Sequence, residues 1–201
     1  MDFYVIHYTP LLNRKDHIIN EFEKHQIDKY FFMELHDREC LTNEQLDKFN
    51  KPTFSEISLF YKHIEVIEKQ QNSSGITCIF EDDAVLVDGF LEKIKKCLEE
   101  LPEDWDLVFG GECANIHCKS LNDKYTHAAN SSRGTCFYMM NNKCASKIIN
   151  CFSNCGKISL PIDHWFNYAI NNRSLKTFWT EPTLVNQGSE SGYFSKTIDI
   201  S

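Results

Sequence analysis

No run in this 201-residue chain approaches the roughly 18 consecutive apolar residues that a membrane-spanning helix needs. The opening Met1-Asp2-Phe3-Tyr4 lacks a basic segment followed by a long apolar stretch, so no secretory signal is expected. Positive charge is also scarce. Lys and Arg number 21 against 29 Asp and Glu, a net charge of −8, which argues against a broad basic face for nucleic acid. A nucleotide remains within reach, because one local cation and a few basic residues suffice for a single diphosphate. Internal repeats, low-complexity tracts and linkers are missing, so residues 1–201 are expected to form one domain. Paired Cys-x-x-Cys spacing is absent too, which leaves a structural zinc site with little support.

Cysteine itself is plentiful. There are nine, an odd number, and Cys78 and Cys97 fall at positions that read as core. Reduced, buried thiols in a reducing compartment account for them best. A cytoplasmic location is therefore expected, with the sequons at Asn72, Asn130 and Asn172 unused. Apolar residues at 42% and aromatics at 13% are enough for a globular core.

Hydrophobic periodicity alternates between strands and helices. Residues 3–8 read as a core strand, 12–26 as a surface helix and 30–35 as a second strand. A short helix is expected from Thr42, and Ser55 is a plausible cap for a helix running to 71. Residues 76–80 read as a strand, 90–101 as an amphipathic helix and 105–109 as a strand ending at Gly110-Gly111. The polar stretch 112–134 reads as a long functional loop. A strand at 136–140, a helix at 142–152, a helix started by Pro161 and a strand at 175–179 follow, and the tail after Pro182 reads as irregular. Strands alternating with helices imply an α/β fold with a mostly parallel central sheet.

The most informative feature is Phe80-Glu81-Asp82-Asp83-Ala84 at the end of the strand 76–80. Three adjacent carboxylates at a buried strand end repel one another and are costly to desolvate. A hard divalent cation such as Mn²⁺ or Mg²⁺ makes them reasonable, and would in turn neutralise a diphosphate. A solvated acidic turn is the alternative reading. In open α/β sheets ligands gather at the carboxyl ends of strands. Glu81-Asp82-Asp83, Gly110-Gly111-Glu112, and Thr9 with Arg14 and Lys15 fall at three such ends. Arg14 and Lys15 read either as a phosphate contact or as a solvated helix start. His63 borders an apolar helical face and reads as a hydrogen-bonded packing residue before a ligand. Asp163, in Pro161-Ile162-Asp163-His164-Trp165, is a helix-stabilising acid or a general base toward an attacking hydroxyl. Trp165 reads as core or as a platform for a sugar ring.

In order along the chain, the pieces Phe3-Tyr4-Val5-Ile6, Asn13-Arg14-Lys15, Ser55-Glu56-Ile57-Ser58 through Lys62-His63, Phe80-Glu81-Asp82-Asp83, Trp105 to Gly110, Gly134 to Tyr138, Pro161-Ile162-Asp163 and Pro182 to Gln187 resemble glycosyltransferase family 25. That group contains lipooligosaccharide and collagen galactosyltransferases. The resemblance implies a single-domain GT-A-like fold and inverting transfer of galactose or glucose from a UDP-sugar to a glycan or polypeptide hydroxyl. It implies Mn²⁺ or Mg²⁺ on Asp83, with Glu81 and Asp82 assisting at metal or ribose. Asp163 is the implied base with Glu112 in reserve, and Gln187 or Ser189 closes over the phosphates. The chain departs from the family pattern at Lys62-His63 and at His7-Tyr8-Thr9-Pro10. Two other classes stay open. One is a catalytically inactive sugar-binding module; the other is a Mg²⁺-dependent phosphotransfer protein, disfavoured because the first strand ends without a nucleophilic Asp.

Overall fold

The alternation read from the sequence builds a layered α/β structure, described by a computed structural model over residues 1–112, 116–117 and 124–194. Seven strands form the central sheet: β1 (Asp2–Ile6), β2 (Phe31–Met33), β3 (Ile76–Glu81), β5 (Leu107–Phe109), β6 (Thr126–Ala129), β7 (Phe137–Asn141) and β8 (Thr177–Thr180). Their order is β2-β1-β3-β7-β5-β8-β6. Strands β2, β1, β3, β5 and β8 run one way, while β7 and β6 run against them. The expectation of a mostly parallel sheet flanked by helices therefore holds.

Side chains alternate across a strand, so each central strand feeds two cores. Ile79, Tyr138, Leu107 and Phe109 pack with helices α3 (Phe54–Gln70), α5 (Ala145–Asn154) and α6 (Ile162–Arg173). Cys78, Phe80, Phe137 and Val108 face the other way, toward α1 (Leu12–Lys24) and α4 (Phe90–Glu100). Ile18 and Phe22 on α1, and Phe90, Ile94 and Cys97 on α4, are fully buried there. Each such side chain contributes roughly 1.5–3 kcal/mol on burial. Trp165 is core, as one of its two readings has it.

Three local expectations are corrected. Helix α3 is capped by Thr53 and not Ser55. The Thr53 hydroxyl accepts the Glu56 amide at 3.3 Å, and the Glu56 carboxylate accepts the Thr53 amide at 2.7 Å. Thr53-x-x-Glu56 is a capping box, and Ser55-x-x-Ser58 cannot be one. The stretch 112–134 holds strand β6, which pairs antiparallel with β8; residues 113–115 and 118–123, with Cys113 and Cys118, lie outside the described residues. The tail contains β9 (Val185–Gln187), paired antiparallel with β4 (Ala84–Leu86) just after the acidic triplet. A short helix α2 (Asn43–Asp47), capped by Thr42, stands where one was expected.

Candidate active site

Strands β1 and β3 are parallel neighbours with Ile6 opposite Glu81. The next residues, His7 and Asp82, therefore leave the sheet side by side. The triplet divides here. Glu81 accepts a hydrogen bond from the Thr135 hydroxyl at 2.6 Å, and its Oε1 lies 3.9 Å from Nε2 of buried His63. Asp82, 5% exposed, is turned inward. Its Oδ1 accepts from Arg14 at 3.1 Å, and its Oδ2 meets Nδ1 of His7 at 2.8 Å and the Tyr8 amide at 3.4 Å. Asp83 turns toward the residues that follow β9.

Asp83 is 1% exposed, yet only one of its carboxylate oxygens is satisfied. Oδ2 accepts the Ser189 amide at 3.1 Å, with Arg14 at 3.9 Å. Oδ1 has no hydrogen-bond partner among the described residues. Burial, and then the nearby charge of Glu81, push the Asp83 carboxyl above the usual carboxylate range. A buried carboxylate with an unmatched oxygen, next to the half-buried Glu81, is a donor set suited to a hard divalent cation. Among the described residues no group of three or more His, Cys, Asp or Glu is placed to hold a metal. Asp83 and Glu81 would thus supply two oxygens, and solvent and substrate the others, which is common for Mg²⁺-type sites.

The remaining candidates spread around this centre. Arg14 is 7% exposed and committed to Asp82, so it is not a solvated helix start. Its guanidinium also lies 5.2 Å from the Phe194 ring centroid. Lys15 pairs with Glu34 at the surface. Thr9 is exposed and hydrogen-bonds Asp37. Gln187 faces Ala84 across the β4–β9 pair. The Glu112 amide donates to the Val185 carbonyl at 2.8 Å, and Glu112 and Gln187 line a shared open depression of about 380 Å³. Asp163 sits in the first turn of α6, its Oδ1 accepting the His164 amide at 2.8 Å. Its carbonyl accepts the Ser132 hydroxyl at 2.6 Å. The short segment from Ser132 to Thr135 thereby links Asp163 to Glu81.

Sequence reasoning missed three partners. His7 and Thr135 orient two of the acids. Lys62, 2% exposed, donates to Asp37 at 2.7 Å and to the Met33 carbonyl at 3.4 Å. His63 packs as expected, its Nδ1 lying 3.1 Å from the Tyr138 hydroxyl, but it also faces Glu81.

A family described as "Glycosyltransferase family 25 (LPS biosynthesis protein)" matches residues 1–120, more than half of the chain. The chain belongs to glycosyltransferase family 25. The matched span includes His7, Arg14, Glu81, Asp82, Asp83 and Glu112; Asp163 and Gln187 lie beyond it. No curated protein matches the sequence. Among solved structures, this family 25 chain is similar to the catalytic domain of Drosophila beta1,4galactosyltransferase 7 in complex with xylobiose. Identity is 12%, coverage is 100% of this chain and 75% of that one, and the TM-score is 0.49. The D211N mutant of that enzyme, in complex with manganese, UDP-Gal and xylobiose, is similar at 12% identity, covering 94% and 68%, with a TM-score of 0.44. Protein A197 from STIV is similar at 11% identity, covering 92% and 83%, with a TM-score of 0.45. Among the described residues no helix is long and apolar enough to cross a membrane.

Proposed function

We propose that this family 25 glycosyltransferase is a metal-dependent, inverting hexosyltransferase. It moves galactose or glucose from a UDP-sugar to a hydroxyl of a glycan or polypeptide acceptor. The observation that carries this reading is Asp83, a buried carboxylate with an unmatched oxygen beside Glu81 at the carboxyl end of a central strand. Asp83 and Glu81 would hold Mn²⁺ or Mg²⁺. Such an ion supplies Lewis-acid stabilisation of the charge that builds on a departing diphosphate.

The chain's own groups divide the remaining work. Arg14, held by Asp82, adds fixed positive charge next to Asp83, and Thr9 contributes from the loop after β1. Gln187 and Ser189 close over the diphosphate from the β9 side. Inversion needs one displacement and one base. Asp163 takes the proton of the acceptor hydroxyl, and Glu112, on the depression shared with Gln187, is the second candidate. Cys78 and Cys97 are free, and burial pushes their thiols up to about 12, which supports a reducing, cytoplasmic setting.

Thermal melting tests the reading directly. UDP with Mn²⁺ is expected to raise the melting temperature of the wild-type chain, and Asp83→Asn is expected to remove that rise. Asp163→Asn should keep the rise and lose transfer from UDP-galactose or UDP-glucose. A wild-type melting curve indifferent to UDP and Mn²⁺ would overturn the donor assignment. Lost transfer in Glu112→Gln with Asp163→Asn active would reassign the base.

A further inference from the structure

Helix α3 carries a polar ring into the core. His63 is 0% exposed, and its ring lies against that of Tyr138 with 5.7 Å between centroids. Burying such a ring is costly unless both nitrogens find partners. Nδ1 has one, the Tyr138 hydroxyl at 3.1 Å. Nε2 has none among the described residues. Oε1 of Glu81 stands 3.9 Å from it, just beyond hydrogen-bond reach.

Tyr138 fixes where the proton of the imidazole sits. Burial pushes the Tyr138 hydroxyl well above its ordinary range, so it keeps its proton and must donate it. Its partner among the described residues is Nδ1 of His63, which therefore accepts. The ring's own proton is then on Nε2, on the side of Glu81. Glu81 has a matching asymmetry. Its Oε1 accepts the Thr135 hydroxyl at 2.6 Å and is also the oxygen near His63. Both contacts fall on one oxygen, which leaves Oε2 for an ion.

We infer that His63 is a positioning residue for Glu81, its Nε2–H the second donor that holds Oε1 in the loaded metal site. The inference rests on the reading of Glu81 and Asp83 as the acids that hold the ion. Thr135 alone supplies one bond, about which the carboxylate can still turn. A second donor from α3 removes that freedom and ties Glu81 through Tyr138 to β7. An uncharged N–H does this without competing for the carboxylate charge, as a lysine would.

A Mn²⁺ titration of the full chain with UDP present, read by the paramagnetic resonance of the free ion, tests this. In His63→Leu, which carries no donor, the Mn²⁺ dissociation constant should rise about tenfold. His63→Gln, whose amide brings an N–H near the place of Nε2, should recover most of that loss. A merely structural role would lower the melting temperature of both variants and leave their affinity for the ion unchanged. Should both fail to fold, the nitrogen resonances of the wild-type imidazole decide. The proton is expected on Nε2 in the metal-free chain, and the Nε2 resonance should shift when diamagnetic Mg²⁺ and UDP are added. Mn²⁺ binding by His63→Leu within about twofold of wild type, equal losses in His63→Leu and His63→Gln, a proton on Nδ1 or an unmoved Nε2 resonance overturns the inference and leaves the transferase reading intact. A wild-type chain that takes up no Mn²⁺ would bring down both.

Discussion

The hydroxyl of Thr135 donates to Oε1 of Glu81 across 2.6 Å, from a loop that also grips Asp163 through Ser132. One of the paired acids is thus oriented from β7's side of the sheet, while Asp83 is oriented from the β9 side by the Ser189 amide. Thr135→Val removes the hydroxyl and keeps the shape. It should cost about 1 kcal/mol of stability in denaturant melts. Outer partners of metal-binding carboxylates usually matter more to affinity, so the Mn²⁺ dissociation constant should rise on the order of 10-fold. An unchanged Mn²⁺ titration would show that Glu81 does not need this tether.

Asp83→Asn should separate stability from binding. The folded-state pKa of Asp83 is raised, so its contribution is fully present below the unfolded carboxylate pKa and is lost as pH rises through the folded value. At neutral pH the ionised group is therefore a cost to the metal-free protein. Asn relieves it, and the variant should melt at or above the wild-type temperature without metal while losing the response to Mn²⁺. A plot of melting temperature against pH should also flatten just above the usual carboxylate range. A variant that melts lower than wild type at neutral pH would contradict this account.

Arg14 and Lys15 are adjacent but unequal. Arg14 is inside, facing Asp82, whereas Lys15 pairs with Glu34 where both are about a third exposed. Breaking a buried pair strands a charge and costs roughly 3–5 kcal/mol, and an exposed pair is worth about 0–1 kcal/mol. Urea melts of Arg14→Met and Lys15→Met should show that contrast.

Asp37 provides an acid-side test. Burial raises its pKa, but hydrogen bonds from Lys62 and Thr9 outweigh this and hold the carboxyl below its ordinary range. A depressed pKa gives stability that is present above the unfolded value, about 3.9, and lost as pH falls through the folded one. Asp37→Asn should therefore be destabilised at pH 7 by about 1–3 kcal/mol, because Lys62 is left buried with a weaker partner. The gap to wild type should narrow as pH falls from the ordinary carboxylate value toward the lowered folded one. A constant gap across that range would place the Asn effect elsewhere.

Much of the scaffold was legible because its signals are local. The apolar run 76–80 ending in acids is β3, and the amphipathic spacing of Phe90, Ile94 and Cys97 is α4. The Thr53 cap is equally readable, as Thr-x-x-Glu, a pattern that Ser55 lacks because Ser58 stands three residues on. Strands β4, β6 and β9 were not legible: each is three or four residues long and exists only through a partner far away in sequence. The acidic motif pointed correctly to a strand end. It did not show that Asp82 would turn from its neighbours, because that depends on the β1–β3 register that sets His7 beside it. Asp163 was legible as a helix-start acid, while its link to Glu81 runs through Ser132 and Thr135, neither of which carries a motif.

The close approach at Gly188 has a consequence for assembly. Its amide donates to the Asp83 carbonyl at 2.8 Å, and a Cβ on it would lie 2.7 Å from that same oxygen. Any larger residue would lift the strap and with it the Ser189 amide. During synthesis the acidic turn emerges well ahead of its cover, which it lacks until residue 189 arrives. Such non-local closure is slow by nature, and the acidic turn stays without the Ser189 amide until that residue has docked.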